Sequence, residues 1–146
     1  MVLNFQADIG ITTSPYLGLS HKLLMIDHMV SISRDKAVKI NLKEKEEDLI
    51  LCRVAKDSCL EQLAGQNIDL SHAQVVEAAS TQINMIENNN GKGVISELML
   101  STIPNELVRG PVLPKMEIEI SLIAHNFEEL PAAAKEVSDM ILQRAL

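Results

Sequence analysis

The tripeptide Gly91-Lys92-Gly93 is the stretch of this sequence whose residue types most directly suggest chemistry. A glycine-rich turn binds phosphate where a strand ends and a helix begins, because the free N–H groups point at the anion. Here the predicted order is a helix before the turn and a strand after it, so the turn would meet carbonyl groups, which repel anions. The G-x-x-x-x-G-K-[ST] spacing of a phosphate loop is also absent. Residues 88–91, Asn-Asn-Asn-Gly, are typical of a helix C-terminus, so we predict a structural turn.

The segment 103–115 is the strongest candidate for a ligand site. It holds three of the five prolines, and a loop stiffened in this way loses less conformational entropy when it binds a ligand. It carries Arg109, whose planar guanidinium can bind a carboxylate or a phosphate. His125 follows a predicted strand, at a position where binding groups are common. We therefore predict Arg109 and His125 as binding residues for an anionic ligand; the alternative is an extended connection with Arg109 in water.

Other pairs of reactive side chains have simpler explanations. Glu117 and Glu119 would lie roughly 6.5–7 Å apart on one face of a strand, a spacing that fits a carboxylate pair. Alternating glutamates are also typical of a solvated strand face, which is the reading we favour. Asp27 and His28 are adjacent, so on a helix they would diverge; we expect one to face solvent and the other to be satisfied in the core.

The sequence predicts no catalytic residue, metal site or cofactor. Cys52 and Cys59 are seven residues apart, too far on one helix for a disulfide, and are expected to be reduced and buried. His21 and His28 have no partner at a spacing typical of metal ligands, and no serine lies in a G-x-S-x-G motif. Enzymatic activity stays open, with a preference against it.

Composition narrows the classes of function. The chain has 146 residues, a net charge of −7 and an aromatic fraction of 2%. Its basic residues are scattered and it offers few aromatic faces for base stacking, so we expect no contact with nucleic acid. No apolar run approaches the roughly 20 residues of a membrane span, so no membrane contact is expected. The N-terminus does not resemble a secretory signal, and together with reduced cysteines this predicts a cytoplasmic protein.

The periodicity of apolar residues predicts one α+β domain over residues 1–146, with a mostly antiparallel sheet and helices packed on one face. Alternation predicts strands, and capping signals predict two helices, one from a capping box at Ser71 and Gln74 to about Asn88 and one from Asn126 or Leu130. The predicted strands cover 2–11, 37–43, 94–102 and 116–124. Residues 48–64 fit either a strand followed by a helix from Asp57 or a single helix.

Residues 20–33 decide the functional prediction. As a helix, these residues would be apolar on nearly every face, which is more apolar surface than a single surface helix buries. Residues 28–33 fit a strand equally well. The helical reading predicts a contact surface for a protein partner, either a second copy in a homo-oligomer or another chain. Its residues are Leu23, Leu24, Met25, Ile26, Met29 and Val30. We therefore predict a non-catalytic interaction or assembly subunit, with protein binding as its activity. The alternative is a small enzyme or ligand-binding protein that takes an anion near 103–115.

Overall fold

The computed structural model describes Val2, residues 6–13 and residues 18–145. The chain divides into two compact units, which we call unit 1 (Met1–Asp27 and Ile118–Leu146) and unit 2 (His28–Glu117). The elements in chain order are β1 Ile9–Thr12, β2 Ser20–Ser33, β3 Ile40–Asn41, β4 Leu49–Cys52, α1 Arg53–Gln62, β5 Gln74–Val76, α2 Ala79–Asn89, β6 Lys92–Ser96, α3 Glu97–Thr102, β7 Val108–Gly110, β8 Val112–Leu113, β9 Glu117–Ala124, a 3₁₀ turn Phe127–Glu129 and α4 Ala132–Ala145.

Unit 1 is built on antiparallel pairing between β1 and β9, from Ile9 opposite Ala124 to Thr12 opposite Ser121. In the strand order, β9 lies between β1 and β2. The strand predicted at 116–124 is therefore present, and its exposed Glu117 and Glu119 are the solvated face that alternation indicated. The strand predicted at 2–11 is described only from Ile9 onward, and its residues 3–5 lie outside the described residues.

The segment 20–33 is a 14-residue strand, β2, and the helix predicted there is wrong. From Met29 to Ser33 the strand pairs with β6 on one edge, and from Ser31 to Ser33 it pairs with β7 on the other. Apolar side chains on every face of a notional helix are equally the pattern of a strand that is buried on both faces, because strand residues alternate between faces. That condition holds at the end of β2, where residues 31–33 are all buried, whereas Leu23, Met25 and Ile26 near its start are exposed.

The centre of unit 2 is a parallel set of three strands in the order β5-β4-β6, with β2 antiparallel to β6. All four residues of β4 are buried. Helix α2 covers these strands, and the shared core consists of Ile32, Ile50, Ile83, Ile86, Ile95, Leu100 and Leu107. The predicted α+β class is confirmed, with a sheet that mixes parallel and antiparallel pairs. The single domain stays a prediction.

Residues 48–64 form a strand followed by a helix, which is the first of the two alternatives, although α1 begins at Arg53 and not at Asp57. The capping box predicted at Ser71 is wrong. The backbone N–H of Ser71 donates to Asp69 Oδ1 at 2.9 Å, Gln74 begins β5, and α2 starts only at Ala79. Asp69 competes for the local backbone donors and forms a turn there.

The strand predicted at 94–102 ends early, at Ser96. The Ser96 hydroxyl accepts a hydrogen bond from the N–H of Met99 at 3.1 Å, so it caps a short helix, α3. The strand predicted at 37–43 is reduced to β3, which pairs in parallel with β8. At the Gly91-Lys92-Gly93 turn, Asn90 has a left-handed φ of 58° as the C-cap of α2, so the turn is the helix end that the sequence indicated.

Gln82 links the parallel strands from inside unit 2. Its side chain is fully buried, and its Nε2 donates to the carbonyl oxygens of Ile50 in β4 at 2.9 Å and Val94 in β6 at 3.1 Å. A Cβ atom on Gly93 would lie 2.6 Å from Ile50 O and 2.8 Å from Gln82 Nε2. Only glycine at this position lets the strand pass so close to the amide, so Gly93 and Gln82 form one packing unit.

Candidate ligand-binding site

The carboxyl ends of the three parallel strands in unit 2 lie at one edge of the sheet. Strands β4, β5 and β6 end at Cys52, Val76 and Ser96, and each is followed by a helix. We call this the carboxyl edge and define it as residues 52–55, 76–81 and 96–99. In open sheets of parallel strands, ligands bind outside the carboxyl ends. The topology therefore makes this edge the first candidate for a site in unit 2.

The backbone at the carboxyl edge is suited to negative charge. Cys52 and Ala78 occupy the N-cap positions of α1 and α2, and neither side chain caps its helix with a hydrogen bond. Neither helix has an acidic residue in its first turn. The first N–H groups of an α-helix have no partner within the helix and carry partial positive charge. A ligand carboxylate or phosphate is the kind of group that these donors accommodate.

Arg53 places a cation at this edge. Its Nε lies 2.9 Å from Oε1 of Glu77, which follows β5, and both side chains are more than half exposed. The hydrogen bond and the negative charge of Glu77 raise the pKa of the Arg53 guanidinium. An ion pair this exposed contributes little to folding, since water screens it. The arginine can therefore exchange Glu77 for a ligand anion at low cost.

Arg109, predicted from the sequence as a ligand residue, lies in β7 opposite Ile32 of β2. Its Nε is 3.6 Å from Oε1 of Glu97, the first residue of α3, and both side chains are about half exposed. The contact brings the guanidinium to the end of β6. A Cβ atom on Gly110 would lie 2.3 Å from the carbonyl oxygen of Val38, so close backbone packing fixes the position of β7.

The segment 103–115 is thus more than an open connection. Besides β7, it contains β8, and the N–H of Leu42 donates to the Leu113 carbonyl at 2.8 Å. Asn105 Nδ2 donates to the carbonyl oxygens of Leu100 and Ile103 at 3.1 and 2.7 Å, which anchors the start of the segment to the end of α3. These contacts order the segment that carries Arg109.

His125, the second predicted ligand residue, belongs to unit 1 and Arg109 to unit 2. The ring Nε2 of His125 donates to the carbonyl oxygen of Val2, and its backbone carbonyl accepts from Ser20 Oγ at 3.4 Å. These contacts give the histidine a structural role in unit 1. Its role in ligand binding stays a prediction.

The six residues predicted as a partner interface do not share one surface. Leu23, Met25 and Ile26 are exposed by 48%, 42% and 41%, whereas Leu24 and Met29 are buried. Val30 packs against the core of unit 2. Successive residues of a strand point to opposite faces, so the apolar surface assumed for a helix is divided between core and solvent. A contact of the exposed residues with another chain stays a prediction.

Sequence reasoning missed Arg53 and Glu77. The signal that could have identified them is the pattern of a buried strand, Leu49–Cys52, followed directly by a helix, because residues after a parallel strand belong to the edge where ligands bind. Reading 48–64 as a strand and a helix was one of two alternatives, and only that one places Arg53 at the carboxyl edge.

Neither of the two cysteines forms a reactive site. Cys52 and Cys59 are free and buried, and burial, with a smaller effect of Cys52, raises the pKa of the Cys59 thiol to about 12. The thiol is therefore protonated and unreactive at neutral pH.

Within Val2, 6–13 and 18–145, no three His, Cys, Asp or Glu side chains are grouped to hold a metal ion. Among the same residues, no helix is long and apolar enough to cross a membrane.

No protein-family model matches the chain. The chain is 36% identical over 136 residues to YoaU, an uncharacterized HTH-type transcriptional regulator of Bacillus subtilis (strain 168). The match covers 88% of this chain and 47% of YoaU. The chain therefore spans about half the length of this curated relative.

Solved structures identify the fold. The CcmR regulatory domain of Synechocystis PCC6803, in complex with 2-PG, superposes with a TM-score of 0.75 at 13% identity, over 99% of this chain and 76% of that one. The BenM effector binding domain with its effector benzoate gives a TM-score of 0.73 at 13% identity, over 98% and 71%. The fold is that of LysR-type regulatory domains. It is also shared with a phosphate transport receptor from Vibrio cholerae, at a TM-score of 0.64.

These comparisons correct the predicted function. A non-catalytic assembly subunit with protein binding as its activity is wrong, because the relative is a transcriptional regulator and the fold is that of effector-binding regulatory domains. The physical cause of the error is β2: its apolar residues were counted as one surface of a helix, whereas in the strand Leu24 and Met29 are buried and Leu23, Met25 and Ile26 are exposed.

The expectation of no nucleic-acid partner is also wrong, since an HTH-type transcriptional regulator acts on DNA. That expectation rested on the net charge of −7, the scattered basic residues and the few aromatic side chains of this chain. The chain spans about half of the relative, so its composition carries no information about the rest of that protein.

Proposed function

We propose that this chain is an effector-binding part of a cytoplasmic transcriptional regulator, and that the regulator as a whole binds DNA. The supporting observation is the 36% identity to YoaU over 88% of the chain, combined with the fold of LysR-type regulatory domains. In such a protein, binding of a small molecule shifts the population of conformations, and that shift alters the activity at DNA.

We further propose that the effector is a small anion and that the carboxyl edge contributes to its binding. Arg53 and Arg109 supply two guanidinium groups, and the N-termini of α1 and α2 supply uncapped N–H donors. Benzoate, the effector in the BenM structure, is a carboxylate, and a carboxylate is the group that a guanidinium binds with two parallel hydrogen bonds. This is the anionic ligand near 103–115 that the sequence suggested as its alternative.

The two acidic partners define how such a ligand would bind. Glu77 and Glu97 pair with the guanidinium groups of Arg53 and Arg109. An incoming anion replaces a carboxylate that is already there, so Arg53 exchanges one charge-assisted hydrogen bond for another and Arg109 exchanges one ion pair for another. The ligand adds contacts with the backbone N–H groups, which neither glutamate makes in this structure. Selectivity for the ligand arises from these added contacts.

Calorimetric titration with benzoate and with inorganic phosphate tests this proposal. We expect the wild-type chain to bind at least one of them, and Arg53→Gln to weaken binding by about tenfold or more, because a hydrogen bond to a charged group contributes about 1.5–3 kcal/mol. Arg34→Gln is the matched control: Arg34 is also an exposed arginine of unit 2, paired with Asp35 at 3.4 Å. Equal weakening by both variants, or no binding of either anion at about 10 mM, ten times a weak Kd of about 1 mM, would contradict an anion site at the carboxyl edge.

A further inference from the structure

The opposite edge of the same parallel strands contains a cavity. Strands β4 and β5 begin at Leu49 and Gln74, α2 ends at Asn89, and these ends enclose a space of about 310 Å³. We call it the amino-edge cavity. Small-molecule sites begin at about 300 Å³, so the space is large enough for a compact ligand. It lies at the amino ends of the strands, apart from the carboxyl edge.

The lining of the amino-edge cavity combines apolar and polar side chains. Ile50 and Met85 provide apolar surface, while Asp48, His72, Gln74 and Asn89 provide polar groups. A Cβ atom on Gly91 would lie 2.8 Å from Ile50 Cδ1 and 3.2 Å from the carbonyl oxygen of Asp48, so a larger residue would press into this lining. A few polar groups converging over an apolar surface is the usual composition of a ligand site.

His72 gives the cavity an unused hydrogen-bonding atom. Its Nε2 is buried, and within the part of the chain that the structure describes nothing forms a hydrogen bond with it. Leaving a buried polar atom without a partner destabilises the folded protein. A ligand that supplies a hydrogen-bond partner for Nε2 would recover that free energy, so the imidazole favours occupation of the cavity by a polar group.

The charges around the cavity favour a cation. Asp48 lies at its rim, and its left-handed φ of 54° is supported by the hydrogen bond from Lys92 N to Asp48 O at 3.1 Å. Lys92 itself is neutralised by Glu46, with Nζ and Oε2 2.6 Å apart. The last turn of α2 presents carbonyl groups and holds no basic residue. Helix C-termini attract positive charge, so Asp48 and α2 act in the same direction.

We propose that the amino-edge cavity is a second ligand site, which binds a small protonated organic amine. The ammonium group lies near Asp48 and Asn89 and donates to Nε2 of His72, while the apolar body of the amine packs on Ile50 and Met85. The site adds to the anion-binding function proposed above and does not depend on it, since it uses different residues and the opposite charge.

Two-dimensional NMR of the histidine ring protons tests the site with benzylamine as the probe. We expect benzylamine to shift the His72 resonance with saturation, and to leave that of the exposed His28 unchanged. Benzyl alcohol has nearly the same shape without the charge, and benzoate has the opposite charge; both should be at least tenfold weaker. No shift of His72 at about 10 mM benzylamine, or equal binding of benzyl alcohol, would overturn the proposal.

Asp48→Asn removes the charge and keeps the fold, because asparagine tolerates a left-handed φ well. We expect it to weaken benzylamine binding by at least fivefold, whereas Asp35→Asn, which removes an exposed carboxylate of the same unit, should have little effect. Equal weakening by both variants would mean that net charge is responsible and not this site. Because benzoate is titrated in the same samples, failure of the amine site and failure of the carboxyl edge give separate readouts.

Discussion

The two edges of the parallel strands in unit 2 have opposite chemistry, although they are built from the same strands. At the carboxyl edge, helices begin and Arg53 and Arg109 stand beside exposed glutamates. At the amino edge, α2 ends and His72 Nε2 is buried beside a cavity with Asp48 at its rim. Strand direction decides which end of a helix lies at each edge, and the side chains reinforce the resulting charge. One small unit can thereby offer sites of opposite charge preference.

The difference between the two edges depends on the fixed position of β4 and β6 against α2. A substitution of Gln82, which joins these elements, is the strongest test of it. Gln82→Leu keeps a similar volume but removes the donors to the Ile50 and Val94 carbonyls. We expect the free energy of unfolding to fall by about 1–3 kcal/mol, measured by urea denaturation, with weaker binding of benzoate and benzylamine alike. Gln62→Leu, at an exposed glutamine in α1, should change stability by less than about 0.5 kcal/mol. A Gln82→Leu protein as stable as the wild type would show that the buried amide is not what holds the edges together.

A second experiment separates charge from packing at the amino edge. Burial raises the pKa of Glu46, but hydrogen bonds from Lys92 and from the Asn41 N–H outweigh it, so the pKa is lowered overall. A carboxyl group whose pKa is lower in the folded state contributes stability above its unfolded pKa and loses it as the pH falls through the folded pKa. Glu46→Gln should therefore cost about 1 kcal/mol at pH 7, and the difference from wild type should shrink as the pH falls below 4.5 and vanish below the lowered pKa of the folded state.

The Glu46→Gln variant also releases Lys92 toward the amino-edge cavity, so benzylamine binding should weaken while benzoate binding stays unchanged. Glu44→Gln, at an exposed glutamate two residues earlier in the sequence, serves as the control for net charge. Urea denaturation at pH 7 and in acid measures the free energy of unfolding. A loss of stability that persists unchanged in acid would rule out the ion pair as its source.

The smallest change in stability is expected at the carboxyl edge. Glu77→Gln removes the partner of Arg53, yet both side chains are largely exposed, so the free energy of unfolding should hardly change. Benzoate affinity should instead rise several-fold, because the ligand no longer displaces a carboxylate. Glu61→Gln removes the same charge from α1 and should leave the affinity as it is. Calorimetry that found no difference between the two variants would mean that Glu77 does not compete with the ligand.

Part of this architecture could be predicted from the sequence. The strand at 117–124 follows from clean alternation, and the left-handed turn at Asn90 follows from the Asn-rich end of a helix. In each case the local pattern and the tertiary environment favour the same structure, so local reasoning is sufficient.

The errors lie where two structures share one pattern. Residues 28–33 fit a helix and a strand equally well, and only pairing with β6 and β7 decides between them. Ser71 has the sequence of a helix cap, but Asp69 uses the nearby N–H in a turn. Neither edge could be predicted either, because an edge exists only once β4, β5 and β6 are known to be parallel. Pairing between distant segments is not encoded in local periodicity.

Helix α2 reaches from one edge to the other, with Ala79 at its first turn and Asn89 at its last, about 15 Å apart by the rise of an α-helix. Near the first turn of α2, Gln82 forms hydrogen bonds with β4 and β6. We therefore expect a ligand that displaces one end of the helix to displace the other end as well. Thermodynamic linkage then requires reciprocity: the factor by which an anion alters the affinity for an amine equals the factor by which the amine alters the affinity for the anion.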